Sequence, residues 1–242
     1  MRTNDLVCCT RDRLYRFLPT AALTTLTPST TQPCGPQCDS EHVTQPGYDA
    51  LADRYAEMFP GPYQSPIEQH AVAAFVEKIH SPGVVVDVGC GLGHVTADLH
   101  RRGLDVIGCD PSPAMLAIAR KTYPHLAFID GDSTLAGVTD PIAAVIARFS
   151  LIHIPPDEVS DILRLWAGQL RPETPVLIAS QSSDFPGSAT PFDHAVAPAW
   201  RWHPDELSRV LADNGFAEEW RIVNRPDAIH RFPGVHVLAH RC

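Results

Sequence analysis

The chain predicts an α/β fold, a mainly parallel sheet covered by helices on both faces. Three features of the sequence predict it. Val84 to Val88, Leu104 to Cys109 and Ile142 to Ala147 are short, nearly unbroken apolar runs, as expected of strands buried on both faces. Stretches with helical apolar spacing alternate with these runs, which is the order of a parallel sheet built through crossovers. A glycine-rich turn, Gly89-Cys90-Gly91-Leu92-Gly93, joins the first run to a helical stretch. At 242 residues with 44% hydrophobic composition, the chain can bury a sizeable core, and residues 46–242 are expected to form one domain.

Residues 1 to 45 differ from the rest. They are rich in Thr and Pro, balanced in charge and without sustained periodicity, so a disordered or loosely attached segment is expected. Within it, Leu14 to Leu26 is interrupted by Arg16 and Pro19 and lacks a secretory cleavage pattern. Cys34, Cys38 and His42 have metal-like spacing but no fourth ligand nearby, and no metal is expected.

The elements then follow in order. Tyr48-Asp49-x-x-Ala52-x-x-Tyr55 opens a helical stretch. Ser65-Pro66-Ile67-Glu68 is a capping box with proline at the first helical position, starting a helix that turns Val72, Phe75, Val76 and Ile79 inward; no chemistry is expected there. After the first strand, Leu92, Val95 and Leu99 mark a helix closed by Arg101, Arg102 and Gly103. Asp110 ends the second strand, and Ser112 with Pro113 starts a helix whose inner face holds Met115, Leu116 and Ala119. Leu126 to Ile129 and Ile142 to Ala147 are the third and fourth strands. Pro156-Asp157-Glu158 begins the next helix, and Val176 to Ala179 is the fifth strand. Residues 181–203 form a long irregular stretch whose place after a parallel strand suits a substrate lid. A helix from Pro204 to Asn214 and a final strand pair, Phe216 to Val223 and Gly234 to His240, complete the chain.

Three glycines at alternate positions between a strand and a helix permit positive φ and close approach of backbone to a ligand. Dinucleotide binding would require glycine at position 94, where His94 stands. An apolar run, Asp87 and then G-x-G-x-G resemble the first motif of class I S-adenosylmethionine-dependent methyltransferases, and the resemblance extends over roughly residues 47 to 224.

That resemblance implies a Rossmann-like, seven-stranded, mostly parallel sheet whose last strand is antiparallel and inserted between the fifth and sixth. It implies S-adenosylmethionine as cofactor and S-adenosylhomocysteine as product. Gly89, Gly91 and Gly93 would shape the turn, Asp87 would orient it and reach the cofactor's amino group, and Asp110 would bind the ribose diol. Asp132 would meet the adenine. Pro111, Met115, Ser133 and Arg148 are further cofactor candidates. Tyr48 and Tyr55 either cover the cofactor's methionine end or pack as core aromatics. His153, just past the fourth strand, is the candidate general base, since imidazole titrates near neutrality; packing or loop bonding is its alternative. Trp200, Arg201, Trp202 and His203 are acceptor-pocket candidates, with packing of the indoles beneath the loop as the other possibility. Arg225, His230 and Arg231 lie in the last turn, where they would either offer cationic groups to an acidic acceptor or be exposed loop charges with no role.

A net charge of −9 and the absence of basic runs argue against nucleic acid as substrate. No stretch has the apolar length of a membrane span, and seven scattered cysteines do not form a disulfide framework, so a cytoplasmic protein is expected. The expected activity is methyl transfer to a small molecule, preferably to a hydroxyl or carboxylate oxygen. A non-catalytic cofactor-binding protein and a nicotinamide-dependent oxidoreductase are the alternatives. Oligomeric state is left open.

Overall fold

The computed structural model describes residues 47–228 and 230–242, so the expectations for residues 1–45 lie outside the described residues. Helix α1 is Gly47–Met58 and α2 is Pro66–Val76. Then follow β1 (Val84–Val88), α3 (His94–Arg101), β2 (Val106–Asp110), α4 (Pro113–Thr122), β3 (Ala127–Asp130) and β4 (Ile142–Arg148). A single 3-10 turn, Leu151–His153, precedes α5 (Pro156–Gln169) and β5 (Pro175–Gln181). After β6 (Thr190–Phe192) and β7 (Ala199–Arg201) come α6 (Pro204–Asp213), β8 (Phe216–Asn224) and β9 (Gly234–Arg241).

The main sheet has seven strands in the order β3-β2-β1-β4-β5-β9-β8. Strands β1 to β5 pair in parallel, while β9 runs antiparallel between β5 and β8. This is the expected Rossmann-like sheet with its inserted antiparallel last strand. Strand order reverses beside β1, and the crevice at the carboxyl ends of β1, β2 and β4 is where such sheets bind ligands.

Alternation along each strand divides the core between two faces. Val86 and Val88 of β1, with Val145, Ile178 and Val237, pack against Val159, Leu163 and Trp166 of α5 and Leu207 and Leu211 of α6. Val85, Ile146, Leu177 and Leu238 face the other way, onto Val72 and Phe75 of α2 and Leu99 of α3. The apolar runs are continuous because both faces are covered.

One sequence expectation is corrected. Residues 181–203 are not irregular throughout, because Thr190–Phe192 and Ala199–Arg201 form a two-stranded antiparallel ribbon. Their brevity and their prolines conceal the alternation that marks longer strands.

Candidate functional site

The turn after β1 follows directly from its glycines. Gly89, Gly91 and Gly93 have φ of 69°, 52° and 74°, the left-handed region that side chains disfavour. They are not equivalent. A β-carbon on Gly89 would overlap that of Ser150, and one on Gly93 would stand 2.6 Å from the Phe128 ring. At Gly91 it would meet nothing within 4 Å. Two glycines therefore let the turn pack tightly, and the middle one presents bare backbone to open space.

Two carboxylates hold this turn. Asp110, at the end of β2, accepts the Gly91 amide at 2.8 Å and the Ser112 amide at 2.9 Å. Burial raises its pKa, against the effect of those two amides. Asp87 is buried inside β1 and accepts the Thr96 hydroxyl of α3 at 2.6 Å. Desolvation pushes it up to about 6, with the Thr96 bond opposing the rise.

Helix α1 lies across this region. Asp49 accepts the Ser112 hydroxyl at 2.6 Å and the Ala114 amide at 3.1 Å, tying α1 to the start of α4. Tyr48 and Tyr55 meet edge to face at 5.7 Å and pack with Ala52, Leu92 and Met115. The Tyr48 hydroxyl is 2.8 Å from His153 Nε2, and His153 Nδ1 is 2.8 Å from the Pro198 carbonyl. A carbonyl only accepts, so the imidazole proton sits on Nδ1 and Nε2 accepts from Tyr48. Burial lowers the His153 pKa, with the bond to the Pro198 carbonyl opposing the shift. His194 packs against it with ring centroids 4.9 Å apart.

The remaining candidates are spread more widely. Pro111 is exposed. Asp132 is exposed two residues past β3 and accepts the Thr134 amide and hydroxyl. The Ser133 carbonyl accepts the Trp166 indole at 2.6 Å. Arg148 pairs with Glu68, donates to the Pro62 carbonyl at 2.9 Å and lies over the Tyr63 ring, and its charge opposes the rise in the Asp87 pKa. Besides its place in the capping box, Glu68 takes the Gln64 amide and the buried Arg148 guanidinium on its carboxylate. Two acceptor candidates have structural tasks. Trp202 is buried in the core, and His203 caps α6 by accepting the Asp205 amide at 3.3 Å. Trp200 is half-buried in β7, and Arg201 stacks on Phe232 at 4.0 Å. Glu68, Gln181, His194 and His236 were absent from the sequence candidates. Glu68 meets Arg148, His194 meets His153 and His236 meets Phe149, all distant in the chain, and no local pattern announces these contacts.

Residues 85–173 match a family model described as a methyltransferase domain. An uncharacterized methyltransferase of Oceanobacillus iheyensis is 32% identical over 95 residues, covering 39% of this chain and 45% of that protein. The trans-aconitate 2-methyltransferase of Yersinia pestis is 41% identical over 75 residues, covering 30% of this chain and 29% of that protein. The matched part thus spans less than half the length of these curated relatives. Among solved structures, the magnesium protoporphyrin IX methyltransferase of Synechocystis PCC 6803 with bound S-adenosylhomocysteine superposes with a TM-score of 0.61 at 18% identity, over 81% of this chain and 96% of that one. The CcbJ methyltransferase of Streptomyces caelestis gives 0.61 at 19% identity, over 80% and 97%. These likenesses show the shared fold. The stretch that matches the methyltransferase-domain model runs from β1 through α5 and carries the glycine turn on which the resemblance to S-adenosylmethionine-dependent methyltransferases rests.

The residues present fit that cofactor. Gly91 leaves the space that a β-carbon would fill, with the Asp110 carboxylate bonded to its amide. Among the described residues no group of His, Cys, Asp and Glu is arranged to hold a metal ion, and no helix is long and apolar enough to cross a membrane.

Proposed function

We propose that the protein transfers a methyl group from S-adenosylmethionine to an oxygen, hydroxyl or carboxylate, of a small metabolite. The observation that carries this is the open backbone face of Gly91 beside Asp110, at the carboxyl edge where the strand order reverses. Gly89, Gly91 and Gly93 would hold the cofactor's backbone-facing side, Asp110 its ribose and Asp87 its amino group. When bound, the cofactor supplies an activated methyl group on a sulfonium.

The chain's own residues then align, exclude water and move a proton. Alignment of two reactants contributes on the order of 7 to 11 kcal/mol to lowering the barrier. For a hydroxyl acceptor, His153 Nε2 is the proton's destination. Because Tyr48 already donates to that nitrogen, the proton passes through the Tyr48 hydroxyl: Tyr48 gives its proton to Nε2 and takes the acceptor's. The imidazolium formed keeps its Nδ1 proton on the Pro198 carbonyl. A carboxylate acceptor needs no such step. The trans-aconitate methyltransferase of Yersinia pestis, named for a carboxylate compound, supports an oxygen acceptor. A cytoplasmic setting and no nucleic-acid substrate belong to the same proposal, resting on cysteine usage and the net charge of −9.

Calorimetric titration with S-adenosylmethionine, S-adenosylhomocysteine and NAD tests it, beside an Asp110→Ala variant. Binding of both sulfur nucleosides, lost in the variant, is expected. Binding of NAD alone, or of none of the three, overturns the proposal.

A further inference from the structure

Among the described residues, six buried side-chain polar atoms have no hydrogen-bond partner: Arg148 Nε, Ser150 Oγ, Gln181 Oε1, Arg201 Nε and both ring nitrogens of His236. Buried polar groups are nearly always paired, so orphans gathered in one place mark a missing polar partner. They are gathered. Arg148 ends β4 opposite Ala179 of β5, and Ala179 is opposite His236 of β9. Paired residues share a face, and Gln181 returns to that face two positions along β5. The His236 ring stands 6.1 Å from that of Phe149, the residue between Arg148 and Ser150. Arg201 ends the ribbon strand β7, which joins this edge because the next amide, that of Trp202, donates to the Gln181 carbonyl at 3.1 Å.

Charge decides what the partner is. Arg148 is neutralised by Glu68, Arg231 by Asp193 and Arg225 by Asp184. Arg201 is half-buried and makes no direct ion pair among the described residues; burial and the nearby Arg231 disfavour its cation, and the carboxylates of Asp184 and Asp193, already paired with Arg225 and Arg231, offset this only in part. Two guanidinium N–H groups and one imidazole N–H stand ready to donate, while Gln181 Oε1 and the other imidazole nitrogen accept, so a ligand that carries an anionic oxygen together with a hydroxyl or acid proton fits the set.

We propose that this edge binds a carboxylate of the methyl acceptor, distinct from the oxygen that is methylated, with Arg201 supplying the charge and His236 and Arg148 lining the pocket. The acceptors are then small hydroxy acids or polycarboxylic acids. This rests on the methyltransferase proposal above.

The test is titration of protein saturated with S-adenosylhomocysteine, in the wild type and in Arg201→Gln and His236→Phe. The probes are succinate, citrate and 4-hydroxybenzoate, beside succinamide and 4-hydroxybenzamide. At least one acid is expected to bind, with its amide weaker by about tenfold or more, and Arg201→Gln is expected to lower acid affinity by a similar factor. His236→Phe weakens acid binding at unchanged melting temperature; if it unfolds, Arg201→Gln on the ribbon decides alone. Equal binding of acids and amides, no binding of any acid, or full acid affinity in Arg201→Gln overturns the pocket. Binding of S-adenosylhomocysteine, recorded first on each sample, separates the cases: its absence from the wild type overturns the methyltransferase proposal instead.

Discussion

The Tyr48 hydroxyl donates to His153 Nε2 across 2.8 Å, although the two residues are 105 positions apart in the chain. The segment 181–203 fixes both partners. The Pro198 carbonyl sets the tautomer of His153, and the Val196 carbonyl accepts the Gly47 amide at 2.9 Å, beside Tyr48. Replacing His153 with Ala is expected to lower kcat by roughly 100 to 10,000-fold on a hydroxyl acceptor, with S-adenosylhomocysteine affinity unchanged. Tyr48→Phe should lower kcat as well, and the double variant should be little worse than His153→Ala, because the two groups act in one path. Steady-state kinetics beside calorimetry check this; unchanged kcat in His153→Ala removes it from the mechanism.

Asp87 links cofactor binding to pH. Its pKa is raised from 3.8 to about 6 by burial, so between those values the native state holds a proton that the unfolded chain has lost. Stability of the cofactor-free protein therefore falls as pH rises through that window. Cofactor binding has the opposite dependence, since the cofactor's ammonium group favours ionised Asp87. Affinity for S-adenosylhomocysteine should fall as pH is lowered from 7 to 5, and Asp87→Asn should bind weakly with a flat profile over that range. A wild-type affinity independent of pH would show that Asp87 does not face the cofactor's charge.

The Glu68–Arg148 pair is buried on both sides, and such pairs cost most when only one member is removed. Glu68→Gln, or Arg148→Met alone, should destabilise by about 3 to 5 kcal/mol, whereas Glu68→Leu with Arg148→Met should lose less than either single change. Urea unfolding of the variants measures it. Additive losses would mean that the two charges do not depend on each other.

Gly91 and Gly93 should separate binding from folding. Both have positive φ, so alanine strains each backbone by about 1 kcal/mol. At Gly93 the added methyl also meets Phe128, and stability should fall further. At Gly91 there is no such neighbour, so Gly91→Ala should stay folded and lose cofactor affinity. Melting temperatures and S-adenosylhomocysteine titrations of the two variants give the comparison; equal profiles would mean that the middle glycine has no special access to ligand.

Much of this architecture was legible in the chain because its signals are local. Apolar runs bounded by glycine and proline located the strands of the main sheet to within two residues, and Ser65 and Ser112 accept the amides of Glu68 and Met115 as their capping patterns predict. The antiparallel place of β9 came from the resemblance alone, since nothing local distinguishes a strand inserted between β5 and β8. The ribbon β6–β7 was missed because two three-residue strands carry too little alternation to register.

The sequence by itself determined the α/β class, the glycine turn after β1 and the carboxylates Asp87 and Asp110, because backbone conformation and burial period depend on residues close together in the chain. Only the tertiary structure decided that Arg148 belongs to Glu68, that Trp202 is core, that His203 caps a helix, and that His153 accepts from Tyr48. It also left Arg148 Nε, Gln181 Oε1, Arg201 Nε and both His236 ring nitrogens buried without hydrogen-bond partners. Those outcomes depend on which side chains of four distant segments arrive at the same place. Residue type sets what each group needs, a counter-charge or a hydrogen-bond partner, and the packed sheet determines which one it finds.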